Sequence, residues 1–315
     1  IYMAKSGRVG PVWIECPIDI QGASFDPDEQ EGFKVPVDEK KNSDLDSLSD
    51  IVIKNIFQSK RPCILAGAGV RLSEAMQELH QIAEHFQMLV LSSRLGMDII
   101  DHHHPLFAGR PGTYGDRAAN FTIQNCDLLI VIGCRLAIGL VGYDYEKFAH
   151  HAKIIMIDID ACEMDKPSVI PDLKIHANAK TVLQNILKKV YNQKGDYKQW
   201  VKQTQLWKKS YPVNLTEYAK EKDGINSYHF MTRLSEMVPA GTNFLVDTGS
   251  CFHVHAQAFK VKAGQRHIIT GGLSTMGYSP AAIGMAAAAN NEVYSITGDG
   301  SFQFNIQELQ TIKHY

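Results

Sequence analysis

From Leu45 onward, short apolar runs rich in β-branched residues alternate with segments of helical periodicity, and this alternation restricts the fold more than any other feature. Helical spacing runs from Leu45 to Gln58, "RPCILAGAGV" (61–70) reads as a buried strand entering a Gly loop, Ser73 to Phe86 is helical, and Met88 to Ser92 is again a strand. Further buried strands lie in "NCDLLIVIGCRL" (125–136) and "AKIIMIDIDACEMDK" (152–166), and a helix covers 176–190. Strands without a polar face, each followed by a helix, demand right-handed βαβ crossovers and a parallel sheet covered on both sides. The expected class is α/β, with a doubly wound parallel-sheet domain over 45–190.

The flanks read differently. "GRVGPVWIECPIDIQ" holds one strand, Val12 to Cys16, with nothing ahead of it to pair with, and 25–44 is charged and Pro/Gly-marked like a linker. A polar connection occupies 191–224. A second α/β unit follows over 225–315: helix Tyr228 to Met237, strands in "NFLVDTG" and "RHIIT", the loop "GGLSTMGYS", and a small-residue helix with Ser279 as N-cap and Pro280 at its first position.

The last stretch is "EVYSITGDGSFQFNIQELQTIKHY". Asp-Gly is a hairpin signal, but no second strand follows; Asn305 and Glu308 are spaced as a capping box, and Ile306, Leu309 and Ile312 recur at helical intervals. The unit therefore reads strand (Val293 to Ile296), Gly-rich loop, helix, an arrangement whose amides receive phosphate. Asp299 at the strand's carboxyl end is placed to hold a cation against that phosphate.

Composition excludes several classes. With 44% hydrophobic and 21% charged residues, 315 positions suit about two globular domains. Lys+Arg 32 against Asp+Glu 34 gives a net charge of -2, with no basic stripe for nucleic acid. The longest apolar run, Leu128 to Ile132, is far too short for a bilayer. Six cysteines (16, 63, 126, 134, 162, 251) form no CxxC pair, which fits buried thiols in a reducing, cytoplasmic setting. His102 to His104 read as a loop and, without a second cluster, are given no metal. A start at Ile-Tyr-Met and an end inside a helix suggest an internal piece of a longer protein.

Three stretches then fall in one order: "VDTGSCFHVHAQAF" (246–259), "TGGLSTMGYSPAAIGMAAA" (270–288) and "ITGDGSFQFNIQELQTI" (296–312). Together they resemble the pyrophosphate-binding domain of thiamine-diphosphate enzymes, within the acetolactate synthase-like large-subunit group. "GPVWIECPIDIQ" resembles the end of that family's pyrimidine-binding domain, which assigns it residues 1–24. "RPCILAGAGV", "CDLLIVIGCRL" and "IIMIDIDACEMDK" resemble its central domain. The resemblance covers essentially the whole chain, and the GDGS loop is its most specific part; the thiamine-diphosphate domain it implies is truncated at its C-terminus.

That resemblance implies a carboligase that decarboxylates a pyruvate-like 2-keto acid and adds the resulting enamine to a carbonyl acceptor, using thiamine diphosphate and Mg²⁺. Asp299 would be the metal ligand, with Gly298, Gly300 and Ser301 beside the diphosphate. Met276 would be the apolar wedge bending the cofactor, the Ser274 carbonyl would accept from its aminopyrimidine, and Gly249 and His253 would lie near the diphosphate. Ordinary readings stand beside these: Met276 as core filler, and His253 and His255, alternating on a strand-like run, as structural. The activating glutamate and a second metal ligand, an Asn, would lie outside the chain. The resemblance also implies a homodimer or homotetramer in the full-length protein and leaves room for a regulatory small subunit, with small-molecule 2-keto acids as substrates.

An FAD site is also implied, at Gly67, Gly69, Gly112, Arg135 and Asp158. The dinucleotide fingerprint is partial, and "CRLAIGLVGYD" departs from the family's usual Arg-Phe-Asp-Asp-Arg, so a vestigial nucleotide fold used as scaffold is an equal reading. "MGYSPAAIG" is one residue shorter before its proline than the pattern, and Phe252 stands where synthases carry glutamine. Such drift leaves open a 2-keto acid decarboxylase or a sugar-pathway carboligase, and, from another class, a non-catalytic nucleotide-binding module.

Overall fold

The computed structural model describes residues 1–36, 44–190, 194–271, 274–289 and 291–315. Part of the expected linker, and Gly272 and Leu273 of the GGLSTMG loop, lie outside the described residues. Six parallel strands form the first sheet: β1 (Pro62–Ala66), β2 (Leu89–Ser92), β3 (Phe107–Gly109), β4 (Leu128–Ile132), β5 (Lys153–Asp158) and β6 (Leu173–His176), in the order β3-β2-β1-β4-β5-β6. This is the doubly wound sheet expected. Every residue of β1, β2 and β4 is buried, which is why these strands read as continuous apolar runs.

Helices supply the cover. Leu45–Gln58 packs against Ala179–Lys189, and Val52, Ile56, Val182, Leu183 and Ile186 are buried between them and the sheet. Each such aliphatic side chain contributes about 1.5–3 kcal/mol. The helix expected over Ser73 to Phe86 is instead two, Ala68–Leu72 and Met76–Phe86, because Glu74 lies in the left-handed region at φ 55 and stops the first. The sequence reading missed β3 and β6. Both are edge strands, and β6 keeps only Ile175 buried, so neither carries a long apolar run.

The strand expected over Val12 to Cys16 does not form. The segment is irregular, and Trp13 and Ile14 are 91% and 82% exposed, since no described strand lies beside it to complete a ladder. Arg8 ties this region to the first unit, through Asp160 at 3.0 Å and Glu163 at 2.8 Å.

A second sheet of three parallel strands has the order β8-β7-β9, with β7 (Asn243–Val246), β8 (Arg266–Ile269) and β9 (Val293–Ile296). Phe244, Val246, Met231 and Phe259 form its core with Met97 from the first unit. Asp98 clamps the two units: its Oδ2 accepts from the His267 amide at 2.9 Å and Arg266 Nη1 at 2.8 Å, and its Oδ1 accepts from Arg71 Nε at 3.3 Å. The run holding His253 and His255 is a helix, Ser250–Ala258, rather than strand-like; Gly249 at φ 90 opens it, and its buried residues include Phe252, His255 and Ala256 at helical spacing. The last helix also starts elsewhere than expected. A short helix Asp299–Gln303 opens directly on the Gly-rich loop, and Glu308–His314 follows a turn, so Asn305 caps nothing; its Nδ2 donates instead to the Gly277 carbonyl at 2.7 Å. The small-residue helix spans Ala281–Ala289, leaving Ser279 and Pro280 in the preceding turn.

Candidate functional site

β7 and β9 pair side by side up to Val246↔Ile296, so residues 247–251 and 297–301 leave the sheet together at its carboxyl edge. Asp247, fully buried, organises that edge. Its Oδ1 accepts from the Thr248 amide at 2.7 Å, and its Oδ2 accepts from the Tyr278 amide at 3.0 Å and Thr297 Oγ1 at 3.2 Å. One carboxylate thus joins the end of β7, the loop before the small-residue helix and the end of β9. Sequence reasoning missed it; the signal available was a lone acid closing the apolar run "NFLV".

The loop so fastened carries Ser274 and Met276. Ser274 has φ 52, and its carbonyl accepts no hydrogen bond among the described residues. Met276 is 49% exposed. Its methyl lies 3.2 Å from where a Cβ on Gly300 would stand, which places Met276 directly over the GDGS loop.

That loop provides the polar half. Gly298 caps the short helix, Asp299 is its first residue, and among the described residues the exposed Asp299 carboxylate has no hydrogen-bond or ion-pair partner. The amides of Asp299, Gly300 and Ser301 belong to the first helical turn and have no intrahelical acceptor. Ser301 turns its side chain inward, at 3% exposed. A Cβ on Gly249 or Gly298 would meet nothing within 4 Å, so open space adjoins both. Between them sits Cys251, whose thiol donates to the Thr248 carbonyl at 2.9 Å; burial holds that thiol protonated, above its ordinary range.

This donor set fits a Mg²⁺-bridged diphosphate. A free carboxylate could supply one hard oxygen ligand, and the unpaired amides of the first helical turn lie beside it in the chain. Among the described residues no group of three His, Cys, Asp or Glu side chains could hold a metal by itself.

His253 faces away, toward the first unit. Arg94 Nη1 lies 3.3 Å from its Nδ1, Tyr114 packs on its ring at 4.2 Å between centroids, and burial with Arg94 beside it holds its pKa below the ordinary histidine value. Phe252 is buried, its ring under the Arg94 guanidinium at 5.2 Å. Neither side chain joins the Asp247–Asp299 group.

The five residues expected around FAD lie at or just beyond the carboxyl ends of β1, β3, β4 and β5, and each has contacts within the chain. The strand order reverses between β1 and β4, where open α/β sheets bind ligands. There, however, a Cβ on Gly67 would stand 2.2 Å from the Gly133 carbonyl, and one on Gly69 2.6 Å from Gly133 Cα. The Gly69 amide donates to Gly133 at 2.9 Å. These glycines are required by backbone meeting backbone. Gly112 lies against the Gly139 carbonyl, 2.8 Å from where its Cβ would be. Arg135 Nε donates to Glu163 at 2.6 Å in a cluster with Lys166 and Arg8. Asp158 is nearly buried, its carboxyl raised by desolvation, and it accepts from the Asp160 amide at 3.0 Å.

Comparison with known proteins agrees with this layout. Residues 50–186 match the thiamine pyrophosphate enzyme central domain, and residues 247–315 match the thiamine pyrophosphate enzyme C-terminal TPP binding domain. A probable acetolactate synthase large subunit of Methanocaldococcus jannaschii is 37% identical over 99% of this chain and 54% of its own length. Another from Methanococcus aeolicus is 34% identical over 99% and 55%. The acetolactate synthase isozyme 1 large subunit of Escherichia coli (strain K12) is 32% identical over 98% and 53%. The chain thus spans about half the length of the curated relatives it matches.

Proposed function

The chain belongs to the thiamine pyrophosphate enzyme family, among acetolactate synthase-like members, and on that premise we propose that the whole protein is a thiamine-diphosphate- and Mg²⁺-dependent carboligase. Its substrates would be a pyruvate-like 2-keto acid, which loses carbon dioxide, and a carbonyl acceptor. The observation that carries this reading is Met276 held over Gly300 beside the free Asp299 carboxylate. A non-catalytic nucleotide module has no use for a half-exposed apolar side chain fixed above a phosphate loop.

When bound, thiamine diphosphate supplies a carbon acid and an electron sink for loss of carbon dioxide. The chain's own residues bind and orient. Asp299 would ligate Mg²⁺ through one carboxylate oxygen, and the amides of Gly300 and Ser301 would face diphosphate oxygens. The Ser274 carbonyl would accept from the aminopyrimidine, and Met276 would pack against the cofactor. Asp247 fastens both loops through the Thr248 and Tyr278 amides and Thr297 Oγ1. The scaffold reading of the central domain is preferred to an FAD site. Activity, the homodimeric or homotetrameric assembly and any regulatory small subunit belong to the whole protein; the chain alone is expected to be inactive.

Calorimetry of thiamine diphosphate with and without Mg²⁺ tests the proposal on the full-length protein. Asp299→Ala is expected to abolish the Mg²⁺-dependent part of binding while leaving the melting temperature nearly unchanged, since an exposed carboxylate contributes little packing. Unchanged cofactor affinity in the variant would sink the assignment.

A further inference from the structure

A cleft between the two units holds a buried cation outside the Asp247–Asp299 group. Arg110, just after β3, is 2% exposed. Its Nη1 donates to the Ala256 and Phe259 carbonyls at 3.3 and 3.4 Å, capping the carboxyl end of helix Ser250–Ala258. Its Nε and Nη2 have no partner among the described residues. These two groups project from one edge of the planar guanidinium, the side-on fork that matches two oxygens of a carboxylate or phosphate. Left without such a partner, a buried guanidinium is strongly disfavoured.

Neighbouring charge makes the deficit larger. Lys208, Lys260, Asp116 and Glu236 line the same cleft. Neither carboxylate answers the fork: Asp116 accepts from the Arg110 and Ala119 amides at 2.8 and 2.7 Å, and Glu236 accepts from Lys260 and Arg233 at 2.8 and 2.7 Å. Lys208 donates to the Phe107 carbonyl at 2.9 Å and stays close to Arg110. Three cations against two engaged carboxylates leave the lining net positive. His102 Nδ1 and Asn214 Oδ1, from residues also lining the cleft, have no hydrogen-bond partner among the described residues. The Asp247–Asp299 group adjoins the opposite end of helix Ser250–Ala258, a nine-residue helix about 13 Å long.

We infer that this cleft is a second binding site, which takes one small oxyanion, a carboxylate or phosphate group, on the Nε/Nη2 fork of Arg110 with Lys208 alongside. The inference is independent of the cofactor assignment.

Calorimetry of the full-length protein, preloaded with thiamine diphosphate and Mg²⁺, would be run separately with inorganic phosphate and with acetate. One equivalent of at least one anion is expected to bind; phosphate alone identifies a phosphoryl ligand and acetate alone a carboxylate. Arg110→Lys keeps the charge but loses the fork and should weaken binding about tenfold or more. Lys208→Met should also weaken it and decides the matter if Arg110→Lys shows no cooperative melt. Preloading fills the Asp247–Asp299 loops with diphosphate, which separates this site from the cofactor site. Absence of binding for both anions, or unaltered affinity in the Arg110 and Lys208 variants, overturns the inference.

Discussion

The Tyr278 amide donates to the Asp247 carboxylate across 3.0 Å, and this bond fastens the Met276 loop to the end of β7. Two further donors, the Thr248 amide and Thr297 Oγ1, converge on the same buried group. Asp247→Ala would leave all three unsatisfied in the interior. Because each orphaned donor has a desolvation penalty, a loss of about 2–4 kcal/mol is expected, read as a lower urea midpoint. Thiamine-diphosphate affinity should fall as well, since both cofactor loops lose their common anchor. A midpoint equal to wild type would show that the carboxylate organises nothing.

Met276 and Gly300 offer a coupled pair. Met276→Ala in a packed core would cost about 2–5 kcal/mol. Here the side chain is 49% exposed, so cofactor-free stability should fall by about 1 kcal/mol or less while turnover falls steeply. Met276→Leu should be nearly neutral, because bulk rather than sulfur is needed. Gly300→Ala would press a methyl against the Met276 terminus at 3.2 Å, and the impaired cofactor binding it causes should be relieved in the Met276→Ala background. Melting temperature without cofactor, cofactor affinity, and turnover with saturating cofactor separate these effects. Sharp destabilisation with normal turnover would make Met276 a packing residue.

A buried histidine pair sets an acid limit. His255 Nε2 lies 2.9 Å from His267 Nδ1, and His267 Nε2 faces Gln265 Oε1 at 3.3 Å. Gln265 is oriented by accepting from the Lys262 amide and donating to the Pro239 carbonyl, so His267 Nε2 carries a proton and His255 donates to His267. Burial, reinforced by Arg110, holds both imidazoles well below the ordinary histidine value. With folded pKa values depressed, the unfolded chain binds more protons below pH about 6.5, and stability must fall as pH drops through that range. The pair alone gives a slope of up to about 2.7 kcal/mol per pH unit, at 1.36 for each proton. Urea midpoints at pH about 7.5 and 5.5 measure it, and a His255→Asn, His267→Asn double variant should show a shallower slope. An equal slope in both proteins would remove the pair from the account.

The full-length protein is expected to purify without flavin. Arg135 is held by Glu163 at 2.6 Å, and the backbones of Gly67 and Gly69 are closed on Gly133 at the point where the strand order reverses. A visible absorption spectrum decides the question. A yellow preparation with one flavin per chain would overturn the scaffold reading and favour an FAD-containing synthase.

The strands β1, β2, β4 and β5 were legible in the sequence because burial on both faces leaves an unbroken apolar run, a local signal. Helix Leu45–Gln58 and strand β9 were legible at the bounds observed, the first from its periodicity and the second from its place before the Gly-rich loop. The edge strands β3 and β6 were not, since pairing on one side asks less of composition. Nor was the helix Ser250–Ala258, where alternating histidines imitate a strand until Gly249 turns the chain at φ 90. Asp299 and Met276 could be named from their motifs, but their meeting at Gly300 depends on two segments brought together through Asp247. No local pattern marks Arg110 as unpaired. Its unpaired fork exists only because helix Ser250–Ala258, more than a hundred positions away, closes over a charge that Asp116 engages through its backbone rather than its guanidinium. Local patterning determined the elements, since it acts between neighbours in the chain; the sites were decided by long-range contacts, whose partners no local pattern identifies.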